Sequence, residues 1–138
     1  MLRDEIMQLV PHRPPMLLVD EITVDESGIA HGKYTVRGDE FFLQGHFPGN
    51  PVVPGVILCE IMGQSCSLLL GDVIKGKTPY FTGMDKVRFK EKVHPGDVLD
   101  ITTVVEKSRH NFYFTKGEIH VNGKLCASGH FSFALVAE

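Results

Sequence analysis

From Pro54 to about Val73 the chain carries apolar residues at helical spacing around nearly the whole circumference: Val56, Ile57, Leu58, Cys59, Ile61, Met62, Leu68, Leu69 and Leu70. A helix without a broad polar face has to be covered on most sides by other elements. This segment therefore predicts a core helix around which the rest of the chain is built. Pro54 suits the first helical position, where a missing N–H costs no intrahelical bond, and Gly71 and Gly76 are the candidate ends. Glu60, Gln64, Ser65 and Ser67 interrupt the run short of the ~20 predominantly apolar residues a membrane span needs, so no transmembrane helix is expected.

With 138 residues, 43% of them hydrophobic, the chain is long enough for one domain with a real core, covering residues 1–138. Arg3 to Leu9 reads as a short helix ending before Pro11, since a proline disfavours helical geometry just upstream. Met16–Val24 and Gly28–Val36 read as a strand pair, followed by a loop from Gly38 to Pro54. After the helix, Lys86–Val93, Asp97–Ser108, Asn111–Val121 and Lys124–Val136 are β-branched or aromatic runs. Asn122-Gly123 between the last two is a hairpin signal, because both residues accept the positive φ of a type I′ turn. The expected class is α+β: an antiparallel sheet, two strands before the helix and about four after it, curled around that helix.

A net charge of −3 argues against a general nucleic-acid binder, whose binding face normally makes the whole domain basic. Cys59, Cys66 and Cys126 form no CxxC pair, and Cys59 and Cys66 would lie ~10 Å apart along a helix, too far for a disulfide. With an N-terminus lacking a signal-peptide pattern, this predicts a cytoplasmic protein. No metal site is expected, because His12, His31, His94, His110, His120 and His130 are scattered without ligand spacing.

Glu60 is, cysteines aside, the only ionisable acid or base between Gly55 and Gly71. An isolated buried carboxylate tends to become protonated, and a protonated glutamate is a proton donor. Glu60, Gln64 and Ser67 fall at i, i+4 and i+7, so they share one stripe, in which Gln64 can hydrogen-bond and orient the Glu60 carboxyl. The competing reading makes this stripe the solvated side of the helix. His46, fourteen residues before Glu60 in the constrained turn "HFPGNP", has the titration range of a general base. At the helix start the first N–H groups lack intrahelical acceptors, and Gly55 would let a ligand oxygen approach them; the plainer alternative is a tight turn satisfied by water.

"PHRPPMLLVD", "GHFPGNPVVPGVILCEIMGQ" and "VRFKEKVHPGD", in this order, resemble the 3-hydroxyacyl-(acyl carrier protein) dehydratases of bacterial fatty-acid synthesis, the FabZ type. The resemblance implies the hot-dog fold, an antiparallel sheet wrapped around one long central helix. It implies dehydration of a (3R)-3-hydroxyacyl thioester to the trans-2-enoyl thioester and water, without cofactor or metal. His46 would remove the C2 proton and Glu60 would protonate the departing C3 hydroxyl. The N–H of Gly55, with that of Val56 as second donor, would bind the thioester carbonyl, and Gln64 would position Glu60. Glutamate at position 60, where FabA-type dehydratase/isomerases have aspartate, favours the FabZ branch. A hot-dog thioesterase, an enoyl-CoA hydratase, or a dehydratase with added isomerase activity is the alternative. The resemblance further implies a homodimer with His46 of one subunit facing Glu60 of the other, assembling as a trimer of dimers into a hexamer.

Two positions depart from the family pattern. Pro14 stands where a tyrosine associated with gating the substrate tunnel is usual, and Ile61 and Gly63 replace alanines beside Glu60, which bears on tunnel width. Lys86, Arg88, Lys90 and Lys92 alternate with apolar residues, so a strand would place all four on one face. Such a ridge would steer an acidic acyl carrier protein, although lysines also protect strand edges from unwanted pairing.

Overall fold

A computed structural model describes residues 1–138. The chain runs α1 (Arg3–Leu9), β1 (Glu21–Val24), β2 (Ala30–Thr35), a short 3-10 turn (Phe41–Leu43) and α2 (Gly55–Ser65). A 3-10 segment (Ser67–Val73) leads into β3 (Lys77–Phe89), β4 (Val98–Arg109), β5 (Phe112–Val121) and β6 (Lys124–Ala137). Two strands before α2 and four after it form one antiparallel sheet in the order β1-β2-β4-β5-β6-β3. Asn122 and Gly123 turn β5 into β6 with φ of 52° and 79°, the positive pair expected of a type I′ hairpin.

Helix α2 packs across β2, β4, β5 and β6. Leu58, Ile61 and Met62 interlock there with Leu99, Ile101, Ile119 and Phe131, all buried. Two strand glycines admit the helix this closely. A Cβ on Gly32 of β2 would lie 2.7 Å from Ser65 Oγ and 3.1 Å from Ser65 Cβ, and one on Gly117 of β5 would lie 3.1 Å from Met62 Cβ.

The helix is shorter than its apolar run suggests. It leaves α geometry after Ser65 and bends by 46° into the 3-10 segment, which Gly71 interrupts at φ 54°. Ser65 Oγ donates back to Ile61 O at 2.8 Å and Cys66 Sγ to Gly63 O at 3.1 Å, contacts that compete with the helical ladder and bend it. Pro54 is the N-cap, with φ −58° and ψ 141°, so Gly55 takes the first helical position. Val56 is 74% exposed in the single chain, contrary to burial on every side. No single helix is long and apolar enough to cross a membrane.

Strand β3 also corrects the sequence reading. It begins at Lys77 and ends at Phe89, leaving Lys90 and Lys92 beyond it. Between Asp85, paired with His130, and Arg88, paired with Ser128, a bulge sets Lys86 (φ 51°) and Val87 against the single Gly129. A bulge breaks the two-residue alternation, so Lys86, Arg88, Lys90 and Lys92 do not form one strand face, although all four are exposed.

Gly32→Ala is expected to push α2 off the sheet and cost about 1–3 kcal/mol, the scale of overpacking a well-filled core. Urea unfolding of the variant beside the parent chain measures this.

Candidate active site

Gln64, 3% exposed, sits in the last turn of α2. Its Oε1 accepts from Leu18 N–H at 2.8 Å, and its Nε2 donates to Met16 O and to Glu60 Oε2, each at 2.8 Å. The predicted strand over Met16–Val24 therefore begins only at Glu21, because the Gln64 side chain takes the backbone groups of Met16 and Leu18 that a ladder would use. Both amide hydrogens are spent, and exchanging O and N would face oxygen against oxygen, which fixes the amide orientation. The stripe of Glu60, Gln64 and Ser67 is not a solvated face: Gln64 and Ser67 are buried and the Glu60 side chain is 22% exposed.

Glu60 is not the isolated carboxylate the sequence suggests. His12 Nε2 lies 3.2 Å from Glu60 Oε2, the same oxygen that Gln64 holds. Sequence reasoning set His12 aside as one of the scattered histidines. The signal available was its setting, "PHRPP", which restricts the backbone around an imidazole much as "HFPGNP" does around His46.

His12, Glu60 and Gln64 line a cleft whose apolar wall includes Leu70, Phe81 and Phe133. A cleft so lined suits a ligand with an apolar body and one polar end. The Phe81 ring comes within 2.7 Å of where a Cβ on Gly63 would lie, so the absent methyl at Gly63 is what lets that ring close the wall. Burial pushes the Cys66 thiol in this cleft up to about 12, and burial followed by the Glu60 charge raises Cys59 as well. Neither offers a thiolate nucleophile near neutral pH. Pro14 faces a separate cleft with Tyr34 and Glu40.

His46 does not line the Glu60 cleft, so one chain does not bring the expected pair together there. In its own loop, His46 Nδ1 lies 2.9 Å from Val52 O, while Val52 N–H donates to His46 O at 2.8 Å. A carbonyl can only accept, so Nδ1 carries the proton and Nε2 presents a lone pair. At the start of α2, Ile57 and Leu58 N–H both bond Pro54 O, whereas Gly55 and Val56 N–H have no acceptor in the chain. These two free donors lie at the positive end of the helix. The Phe89 ring lies against Gly55, 2.8 Å from where a Cβ would lie. No group of three or more His, Cys, Asp or Glu is placed to hold a metal ion.

The FabA-like domain model matches residues 10–130. A protein of Caldicellulosiruptor bescii described as 3-hydroxyacyl-(acyl-carrier-protein) dehydratase FabZ is 45% identical over 135 residues, covering 96% of each chain. One of the same description from Clostridium perfringens is 43% identical, again over 96% of each. Among solved structures, the dehydratase heterocomplex ApeI:P from Xenorhabdus doucetiae superposes with a TM-score of 0.81 over 94% of this chain and 90% of its own, at 23% identity. At that identity the likeness concerns the fold.

Gln64→Leu keeps the volume but strands Leu18 N–H and Met16 C=O in the interior. The expected loss is roughly 2–4 kcal/mol of stability, read by denaturant unfolding.

Proposed function

This chain belongs to the FabA-like family and, within it, to the FabZ-type 3-hydroxyacyl-(acyl-carrier-protein) dehydratases, and from that membership we propose a mechanism in which His46 and Glu60 divide the proton transfers. The enzyme dehydrates a 3-hydroxyacyl thioester on acyl carrier protein to the enoyl thioester in fatty-acid biosynthesis. His46 Nε2 takes the C2 proton, and the electrons of that C–H bond pass into the thioester carbonyl. The resulting oxyanion is held by the free N–H groups of Gly55 and Val56 at the positive end of α2. As the charge returns to form the C2–C3 double bond, the C3 hydroxyl takes the Glu60 proton and leaves as water. Gln64 holds the carboxyl in place throughout. The observation that carries this reading is the tautomer of His46: Nδ1 is committed to Val52 O, which leaves Nε2 as a base. Thioester hydrolysis would give no work to that base in addition to Glu60.

The reading includes a composite site. His46 is absent from the cleft around Glu60 of its own chain. The edge strand β3 exposes Tyr80, Phe81, Met84 and Phe89, and Val56 protrudes beside it. An apolar open edge of this kind favours pairing with a second copy. A two-fold axis would then build two equivalent sites, each taking His46 from one subunit and Glu60 from the other. Three such dimers would make the hexamer. The exposed Lys86, Arg88, Lys90 and Lys92, on the edge strand and the loop after it, would meet the acidic carrier protein. A single domain at work in the cytoplasm completes the reading, in keeping with three free, buried cysteines.

Glu60→Gln and His46→Ala should each remove nearly all turnover while the fold survives. Mixing the two dead variants with subunit exchange tests the composite site: if half the dimers are mixed, about a quarter of the activity returns, because each mixed dimer holds one intact site of two. A pair residing within one subunit would recover nothing. Charge reversal at Lys86, Arg88, Lys90 and Lys92 should weaken turnover of carrier-protein substrates at low salt far more than turnover of short thiol analogues. Steady-state kinetics on both substrate types reads the difference.

A further inference from the structure

Both polar contacts to the Glu60 carboxyl fall on one oxygen. Gln64 Nε2 reaches Oε2 at 2.8 Å and His12 Nε2 reaches the same atom at 3.2 Å, while Oε1 has no protein partner. We infer that His12 is a positioning residue which, together with Gln64, fixes Glu60 Oε2 as the carbonyl-like oxygen of the acid and so assigns Oε1 as the atom that delivers the proton. This rests on Glu60 being the acid of the dehydration.

The two nitrogens of the His12 ring stand in different surroundings. Its Nδ1 is buried and meets no hydrogen-bond partner in the protein. A proton there would be a buried, unsatisfied donor, which costs about 1–3 kcal/mol and more when the ring is charged. A ring with its proton on Nε2 avoids that cost, and Nε2 is the nitrogen that lies beside Glu60. A carboxylic acid whose Oε2 already accepts from Gln64, with His12 Nε2 beside the same atom, carries its own proton on the other oxygen, since a proton on Oε2 would oppose the amide donor.

The same geometry serves the step that follows. When the Oε1–H bond breaks and the proton joins the departing C3 hydroxyl, the negative charge left on the carboxylate is met by the Gln64 amide donor, with the His12 ring beside the same oxygen, so the amide does not have to reorganise. The proton count closes through His46, which gains the C2 proton as Glu60 loses its own, and the pair resets by returning one proton through solvent. Backbone geometry makes His12 a dependable holder. It follows Pro11, and Arg13 Nη1 ties Val10 O at 2.9 Å and His12 O at 2.7 Å.

The test replaces the donor while keeping or losing its reach. A glutamine amide nitrogen extends about as far as imidazole Nε2, whereas an asparagine amide stops near the Nδ1 position. His12→Gln should keep most of kcat. His12→Asn and His12→Ala should each lower kcat about tenfold with KM unchanged, the scale of one charge-assisted hydrogen bond. Rates are expressed per folded enzyme, with circular dichroism giving the folded fraction, and Glu60→Gln is assayed alongside. Wild-type kcat in His12→Asn and His12→Ala, or equal losses in all three His12 variants, beside an inactive Glu60→Gln, would overturn the His12 inference alone. Turnover surviving in Glu60→Gln would overturn the acid assignment beneath it.

Discussion

The amide of Gln64 holds the architecture and the chemistry together. Buried in the last turn of α2, it makes three hydrogen bonds, two to the backbone of Met16 and Leu18 and one to Glu60. An amide in an apolar interior is costly unless satisfied, so this helix is stable only where the segment before β1 lies against it. That segment is thereby denied to the sheet, and the sheet begins at Glu21. The same contact brings "PHRPP" beside Glu60 and with it His12, which precedes Glu60 by 48 residues in the chain.

Helix α2 also works as a ruler. Gly55, whose N–H is free, and Glu60 are five residues apart, which along a helix is ~7.5 Å. The proposed oxyanion donors and the proposed acid are thus carried on one rigid element. That element is pressed into the sheet at Gly32 and Gly117, where no side chain intervenes. His46 comes from a loop, and its positional definition has another source: the loop closes on itself through His46 Nδ1 to Val52 O and Val52 N–H to His46 O.

The elements legible in the sequence were those set by local chemistry. α1, strands β1, β2, β4, β5 and β6, the Asn122-Gly123 hairpin and the Glu60–Gln64 contact each follow from spacing or turn residues within a few positions, whereas most of β3, from Lys77 to Asp85, lies outside the strands the sequence predicts. What escaped depends on partners distant in the chain or on side chains bonding back to the main chain. The bend after Ser65 arises from hydroxyl and thiol contacts that hydropathy does not register, and the bulge at Lys86 is a matter of register against β6. Glu60 looked isolated because periodicity along a helix sees only that helix. The histidine that meets it arrives from a proline-bound loop on a different part of the chain.

The surface left uncovered is where the proposed composite site would be completed. Val56, Phe89 and Phe81 remain exposed around the start of α2 and along the β3 edge, beside the two free N–H donors. In water such donors hold an oxyanion weakly, because solvent competes and screens; in a dry site the same two groups act far more strongly. Covering this surface with a second copy, in the proposed dimer, would exclude water from the donors in the same event that brings the other subunit's imidazole to Glu60. In that dimer, apolar area that is a liability for a single chain would become the means by which association completes both the proposed oxyanion site and the proposed base.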